Sequence, residues 1–223
     1  MVLPIPSAMT DETPTITIVD DDDSVRRALS RLLRASGYLV KTYSSAPEYL
    51  SDRSPIDTGP ACLLIDVRMP GLSGLELQAL LNDEKNDAAV VFMTGHGDVP
   101  TGVKAMKSGA IDFLLKPFLD DELLNAVSRA LQWNAELRLR RRDIDELERR
   151  EAKLTRRERE VCALVVTGRL NKQIAATLGT SEKTVKVHRS RVMTKMEVAS
   201  LAELVRTVER LNRAHSGAEA SGP

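Results

Sequence analysis

The chain has 223 residues, 42% of them hydrophobic, with 32 basic and 32 acidic side chains, enough for one or two domains with cores of their own. The zero net charge hides an asymmetry, since residues 1–130 carry 12 Lys and Arg against 19 Asp and Glu, whereas residues 155–223 carry 13 against 7. An acidic half followed by a basic half excludes one uniform surface and makes the second half the nucleic-acid candidate. Cys62 and Cys162 lie in separate apolar stretches without metal-ligand spacing and read as buried thiols rather than a disulfide. No apolar run approaches the ~20 residues of a membrane span, and the N-terminus lacks a signal-peptide core. A soluble cytoplasmic protein is expected.

After a tail expected to be disordered over 1–13, strand and helix patterns alternate five times. The strand-like runs are Thr15–Val19, Tyr38–Thr42, Ala61–Ile65, Ala89–Met93 and Ile111–Leu115. The third and fourth are continuously apolar, as strands covered on both faces must be. Between them, Val25, Leu29, Leu32 and Leu33 share a helical face closed by Gly37, Pro47 suits a first helical turn, Leu75, Leu77, Leu80 and Leu81 suit a third helix, and Val103, Ala105 and Met106 a fourth closed by Gly109. Right-handed crossovers make this a five-stranded parallel α/β sandwich. Such sheets bind ligands beyond the carboxyl ends of their strands, where Asp20–Asp23, Asp66, Thr94 and Lys116 fall. Four adjacent carboxylates repel one another and resist desolvation. At a strand end they call for a cation or a helix N-terminus to offset them.

From Asp120 to Lys153 nothing breaks a helix. Leu123, Leu124, Val127 and Leu131 fit the sheet, and Leu137, Ile144, Leu147 and Leu154 then recur at roughly heptad spacing. That segment is either a rod that pairs with a second chain or a single helix laced by pairs such as Asp145–Arg149. Residues 155–212 hold only short helical patterns: Thr155 with Glu158 as a capping box, Asn171 as a second cap, Ser181 capping Glu182–Met196, and a last helix over Ala199–Leu211. Helix, glycine turn, helix is the helix-turn-helix pattern.

Val19-Asp20-Asp21-Asp22, Leu64-Ile65-Asp66-Val67-Arg68-Met69-Pro70-Gly71, Met93-Thr94-Gly95-His96-Gly97-Asp98 and Asp112-Phe113-Leu114-Leu115-Lys116-Pro117-Phe118, in that order and at strand ends, resemble a response-regulator receiver domain, with a flavodoxin-like (CheY-like) fold over residues 14–131. The Thr94–Pro100 and Lys116–Phe118 stretches are most similar to the FixJ branch. The resemblance implies that Asp66 accepts a phosphoryl group from a sensor histidine kinase. It implies Mg²⁺ held directly by Asp21, Asp66 and the backbone carbonyl of Arg68, and through water by Asp20. The chemistry suits these residues: a carboxylate nucleophile can form an acyl phosphate, and the negative phosphoryl oxygens must first be neutralised by a metal and an ammonium such as Lys116. It implies further that Thr94 and Phe113 form a switch, the hydroxyl moving to the phosphoryl group and the ring turning inward. The same resemblance implies dimer contacts at Val103 and Lys107 and a cis Lys116–Pro117 bond. Asp22 reads as a bystander or weak outer-shell acid and Asp23 as the helix cap.

Leu154-Thr155-Arg156-Arg157-Glu158-Arg159-Glu160-Val161, Asn171-Lys172-Gln173-Ile174-Ala175 and Ser181-Glu182-Lys183-Thr184-Val185-Lys186-Val187-His188-Arg189 resemble a LuxR-type helix-turn-helix. Glu182–Met196 is then the recognition helix in the major groove. Lys186 and Val187 fall at base-contacting positions, Val187 suited to a thymine methyl. Lys183, Thr184, Arg189, Arg191 and Lys195 suit phosphates, which position without specifying. The last helix is then either a dimer helix with Leu204, Val208 and Leu211 as its stripe, or one that packs that stripe within its own domain.

The expected organisation is a receiver over 14–131, a helical linker over 132–153 that is a candidate coiled coil, an all-α helix-turn-helix domain over 154–212, and a disordered tail over 213–223. The expected function is a two-component transcription factor rather than an enzyme, with at most slow autodephosphorylation. Phosphorylation would drive homodimerisation, binding to a two-fold related operator and recruitment of RNA polymerase. Two other functions use the same residues. A Mg²⁺-dependent aspartyl phosphohydrolase would need a second acid two residues after its nucleophile, where this chain has Arg68. A constitutive DNA-binding dimer would use the receiver as scaffold alone, without need of an intact Asp66, Thr94 and Lys116.

Overall fold

The five apolar runs form one parallel sheet. The computed structural model describes residues 13–52, 60–83, 88–95 and 108–219. Strands β1 (Thr15–Val19), β2 (Leu39–Tyr43), β3 (Ala61–Asp66), β4 (Ala89–Thr94) and β5 (Asp112–Leu115) pair in the order β2-β1-β3-β4-β5. Helices α1 (Asp23–Ala35), α2 (Ala46–Asp52) and α3 (Gly74–Asp83) lie between strands, and α4 (Asp120–Ala152) follows β5. The strands start or end within one residue of the expected runs. The helix expected around Val103–Met106 lies outside the described residues.

Period-two alternation divides the strands between two cores. Cys62 and Leu64 join Ile16, Ile18, Val91 and Met93 against Leu29 and Leu33 of α1 and Leu123, Val127 and Leu131 of α4. Leu63 and Ile65 join Val19, Val90 and Phe92 against Tyr49 of α2 and Leu77 and Leu81 of α3. Burying each such aliphatic chain stabilises by roughly 2 kcal/mol. The central strands β1, β3 and β4 are covered on both faces, whereas residues of the edge strands β2 and β5 are exposed.

The chain divides into two compact units between Arg138 and Leu139, within the segment read as linker. The second unit contains the last turns of α4 and helices α5 (Arg156–Val165), α6 (Asn171–Leu178), α7 (Glu182–Lys195) and α8 (Leu201–Glu219). Thr155 caps α5 in a capping box with Glu158, and Gly179 ends α6 at φ 62°, a conformation open to glycine. Three expectations are qualified here. The apolar positions read as a pairing stripe are used within the unit: Leu147 and Leu154 are buried in its core with Ile144 against them. Leu204 and Leu211, read as dimer contacts, are buried in the same core, with Val208 packed on it. The last helix also runs through residues 213–219, read as tail. Its Arg210 and His215 meet Asp143 and Glu148 of α4 at 3.2 and 3.0 Å.

Candidate functional site

Four strand ends converge on one lysine. Asp20 follows β1, Asp66 ends β3, Thr94 ends β4 and Lys116 follows β5. The Lys116 ammonium donates to Asp20 Oδ2 at 2.6 Å and to Asp66 Oδ1 at 2.8 Å. Asp20 is 1% exposed and Asp66 7%, so two carboxylates are held in a poorly solvated place by one bridging cation. The other oxygens are used as well: Asp20 Oδ1 accepts the Asp22 N–H at 2.9 Å, and Asp66 Oδ2 accepts the Arg68 N–H at 3.1 Å. Burial raises the Asp66 carboxyl above its ordinary value against the pull of Lys116. Burial alone would lower the Lys116 ammonium, but its bonds to Asp20 and Asp66 outweigh that and hold it high. The Lys116 N–H donates to the Thr94 carbonyl at 2.7 Å, and the Lys116–Pro117 bond is cis. Thr94 Oγ1 is buried and makes no hydrogen bond among the described residues. The Phe113 ring is 39% exposed.

The acids next to Asp20 divide by role. Asp22, read as a bystander, is the N-cap of α1: its Oδ1 accepts from Ser24 N at 2.8 Å and Val25 N at 3.4 Å, which satisfies N–H groups that a helix start leaves orphaned. The Ser24 hydroxyl, which donates to the same oxygen, and those N–H bonds lower its carboxyl. Asp23, expected as the cap, lies in the first turn and pairs with Arg26 and Arg27 at 3.1 and 2.7 Å. Asp21 is exposed. Asp20, Asp21, Asp66 and the Arg68 carbonyl are hard oxygen donors of the kind Mg²⁺ takes. Among the described residues no three acid, His or Cys side chains close into a ligand group. The donors fit the ion chemically.

Two residues that sequence reasoning passed over build this site. A Cβ on Gly74 would lie 2.3 Å from the Asp66 carbonyl oxygen and 2.9 Å from Ile65 Cγ2, so only glycine lets α3 start this close to the acceptor strand. Arg26 Nη1 donates to the Asp20 carbonyl at 2.6 Å. Its only sequence signal was the i, i+3 spacing from Asp23.

In the second unit α7 separates its faces. Val185, Val192 and Met196 are in the core, while Lys183, Thr184, Lys186, Val187 and Arg191 are exposed. Ser181 caps the helix by accepting Thr184 N–H at 3.1 Å. Arg189 is half-buried and donates to Asn171 Oδ1 at 3.0 Å. Asn171 therefore does not cap α6; Gln173 Oε1 instead accepts the Leu170 N–H at 2.9 Å. Lys195 has partners within the unit: its ammonium donates to Glu158 Oε2 at 2.6 Å and to the Lys153 carbonyl at 3.0 Å.

Residues 16–128 match the family model of the response regulator receiver domain, and residues 152–208 that of the bacterial regulatory proteins of the luxR family. The chain is 45% identical over 203 residues to the response regulator protein TmoT of Ectopseudomonas mendocina, covering 91% of each chain. It is 48% identical over 195 residues to the transcriptional regulatory protein FixJ of Azorhizobium caulinodans, covering 87% of this chain and 92% of that one. The chain belongs to the response regulators. Among solved structures, the response regulator StyR superposes with a TM-score of 0.80 at 48% identity, over 89% of this chain and all of that one. Full-length FixJ from B. japonicum gives 0.55 at 38%, over 89% and 97%.

A response regulator with these two domains has a receiver that typically binds Mg²⁺ and an output domain that binds DNA, and the pair implies a histidine kinase partner. The family is one of transcriptional response regulators, not generally of enzymes. Among the described residues no helix is long and apolar enough to cross a membrane. Of the expected site residues, the fold of this response regulator brings together Asp20, Asp66, Thr94 and Lys116. Val103 and Lys107 lie outside the described residues.

Proposed function

We propose that this response regulator couples phosphorylation of Asp66 to DNA binding and transcriptional activation. The carrying observation is the convergence of Asp20, Asp66 and Lys116, together with a Thr94 hydroxyl that has no partner among the described residues. An Asp66 carboxylate oxygen attacks the phosphorus of a phosphohistidine on a sensor kinase. The P–N bond breaks, its electron pair stays on the imidazole, and an acyl phosphate forms. Asp21, Asp66 and the Arg68 carbonyl, with Asp20 through water, would hold Mg²⁺, which would supply the charge neutralisation this transfer needs. Lys116 is already poised on Asp66 to bind a phosphoryl oxygen, and Thr94 Oγ1 has a hydrogen bond to give.

That new bond draws Thr94 toward the phosphoryl group and lets Phe113 turn inward, favouring a state that dimerises through Val103 and Lys107. The dimer places two copies of α7 on a two-fold related operator and recruits RNA polymerase. Lys186 and Val187 read base edges, and Lys183, Thr184 and Arg191 hold phosphates. The test is covalent labelling: acetyl phosphate with Mg²⁺ should phosphorylate the wild type and leave Asp66→Asn unlabelled. Equal labelling of the two proteins defeats the assignment.

A further inference from the structure

Glu158 is 2% exposed, and its carboxylate joins three parts of the second unit. Oε2 accepts the Thr155 N–H at 2.8 Å, closing the capping box that starts α5. The same oxygen accepts from Lys195, the last residue of α7, 37 positions away at 2.6 Å. Lys195 donates in turn to the Lys153 carbonyl at 3.0 Å, just past the end of α4. One buried carboxylate thus ties the start of the supporting helix to the end of the helix that carries the exposed Lys186 and Val187. Ser181 holds the other end of α7 and Arg189, through Asn171, its middle.

We infer that Glu158 is a positioning residue for sequence recognition: through Lys195 it fixes the C-terminal end of α7 so that Lys186 and Val187 meet base edges in one register. The inference rests on α7 being the recognition helix and goes beyond it. Two roles for Lys195 give opposite signs. A lysine that bound phosphate would be released toward DNA by neutralising Glu158, and binding would tighten. A lysine that positions α7 loses its anchor, and recognition weakens.

The experiment uses the full chain treated with acetyl phosphate and Mg²⁺, at a temperature where circular dichroism shows every variant folded. Two probes are titrated across a salt series: a duplex enriched by the wild type from a random pool, and a mixed-sequence duplex of equal length. Glu158→Gln and Lys195→Met should each cut the ratio of the two affinities about tenfold, the scale of one base contact, with the salt slope of the wild type retained. The double variant should be no worse than either single one, and Lys195→Arg should restore most of the ratio. A slope reduced by about 0.9 in Lys195→Met, the signature of one lost phosphate contact, overturns the inference. So does an unchanged ratio in the folded variants, or tighter binding by Glu158→Gln. If Glu158→Gln does not fold, Lys195→Met against Lys195→Arg decides by the same readings. Failure of the wild type to bind either duplex overturns the recognition-helix reading itself, a result separable from all of these.

Discussion

Each unit holds a lysine on a buried acid, and the two pairs are used in opposite ways. Lys116 lies 2.6 Å from Asp20 and 2.8 Å from Asp66, and Lys195 lies 2.6 Å from Glu158. Asp66 is raised, because burial and the neighbouring Asp20 charge work against the one cation the two acids share. Glu158 shares Lys195 with no other acid and also accepts the Thr155 N–H, and these bring it down to about 2. An acid whose charge is poorly compensated gains by acquiring a metal. An acid whose charge is fully met gains nothing from change, and serves as a fastener. A carboxylate's surroundings therefore separate a site that reacts from one that only holds.

The contrast breaks most visibly if Lys116 is removed. Lys116→Met leaves two buried carboxylates without their cation and should destabilise the receiver by on the order of 3 kcal/mol, followed in urea by fluorescence of Trp133, the single tryptophan. Asp20→Asn in that background should recover much of the loss. No recovery would mean that the pair's repulsion is not what Lys116 relieves.

On the DNA side, Lys186→Ala should lower discrimination between related duplexes by roughly 1–3 kcal/mol, whereas Arg191→Ala should weaken all duplexes alike and flatten the salt slope by about 0.9. A smaller effect separates switch from scaffold. Thr94→Val removes a buried hydroxyl without a described partner, so stability should hold or rise by up to about 1 kcal/mol, while phosphorylation raises DNA affinity less than in the wild type. A large loss of stability would show that the hydroxyl is structural.

The smallest effect is in pH. Because the folded-state value of Glu158 is depressed from 4.5 to about 2, its contribution is complete above pH 4.5 and is lost as pH falls from 4.5 toward about 2. Glu158→Gln should flatten that limb of the second unit's stability curve, and an unaltered limb would assign the acid sensitivity elsewhere.

What could be read from the chain was local. The apolar runs and the residues at their ends placed the sheet and four site positions, because strand burial and strand termini leave marks within a few residues. The start of α1 was missed by one position, since Asp22 and Asp23 are chemically equal caps and the choice depends on where the chain leaves β1. Gly74 carried no local signal, because the atom it must clear, the Asp66 carbonyl, belongs to another element. Lys195 looked like any exposed cation of a recognition helix until Glu158, 37 positions earlier, was found beside it. The length of α8 and the use of Leu147 depend likewise on α4 and α8 packing in one unit, which spacing within either helix does not encode.

The coupling of the acidic site to DNA binding is tested most directly by affinity for one enriched duplex, measured by anisotropy with and without acetyl phosphate and Mg²⁺, for the wild type and for Asp66→Asn. The account predicts at least a tenfold rise for the wild type, about 1.4 kcal/mol, and none for Asp66→Asn. Equal wild-type affinity in both conditions, with Asp66 shown to be phosphorylated, would contradict it.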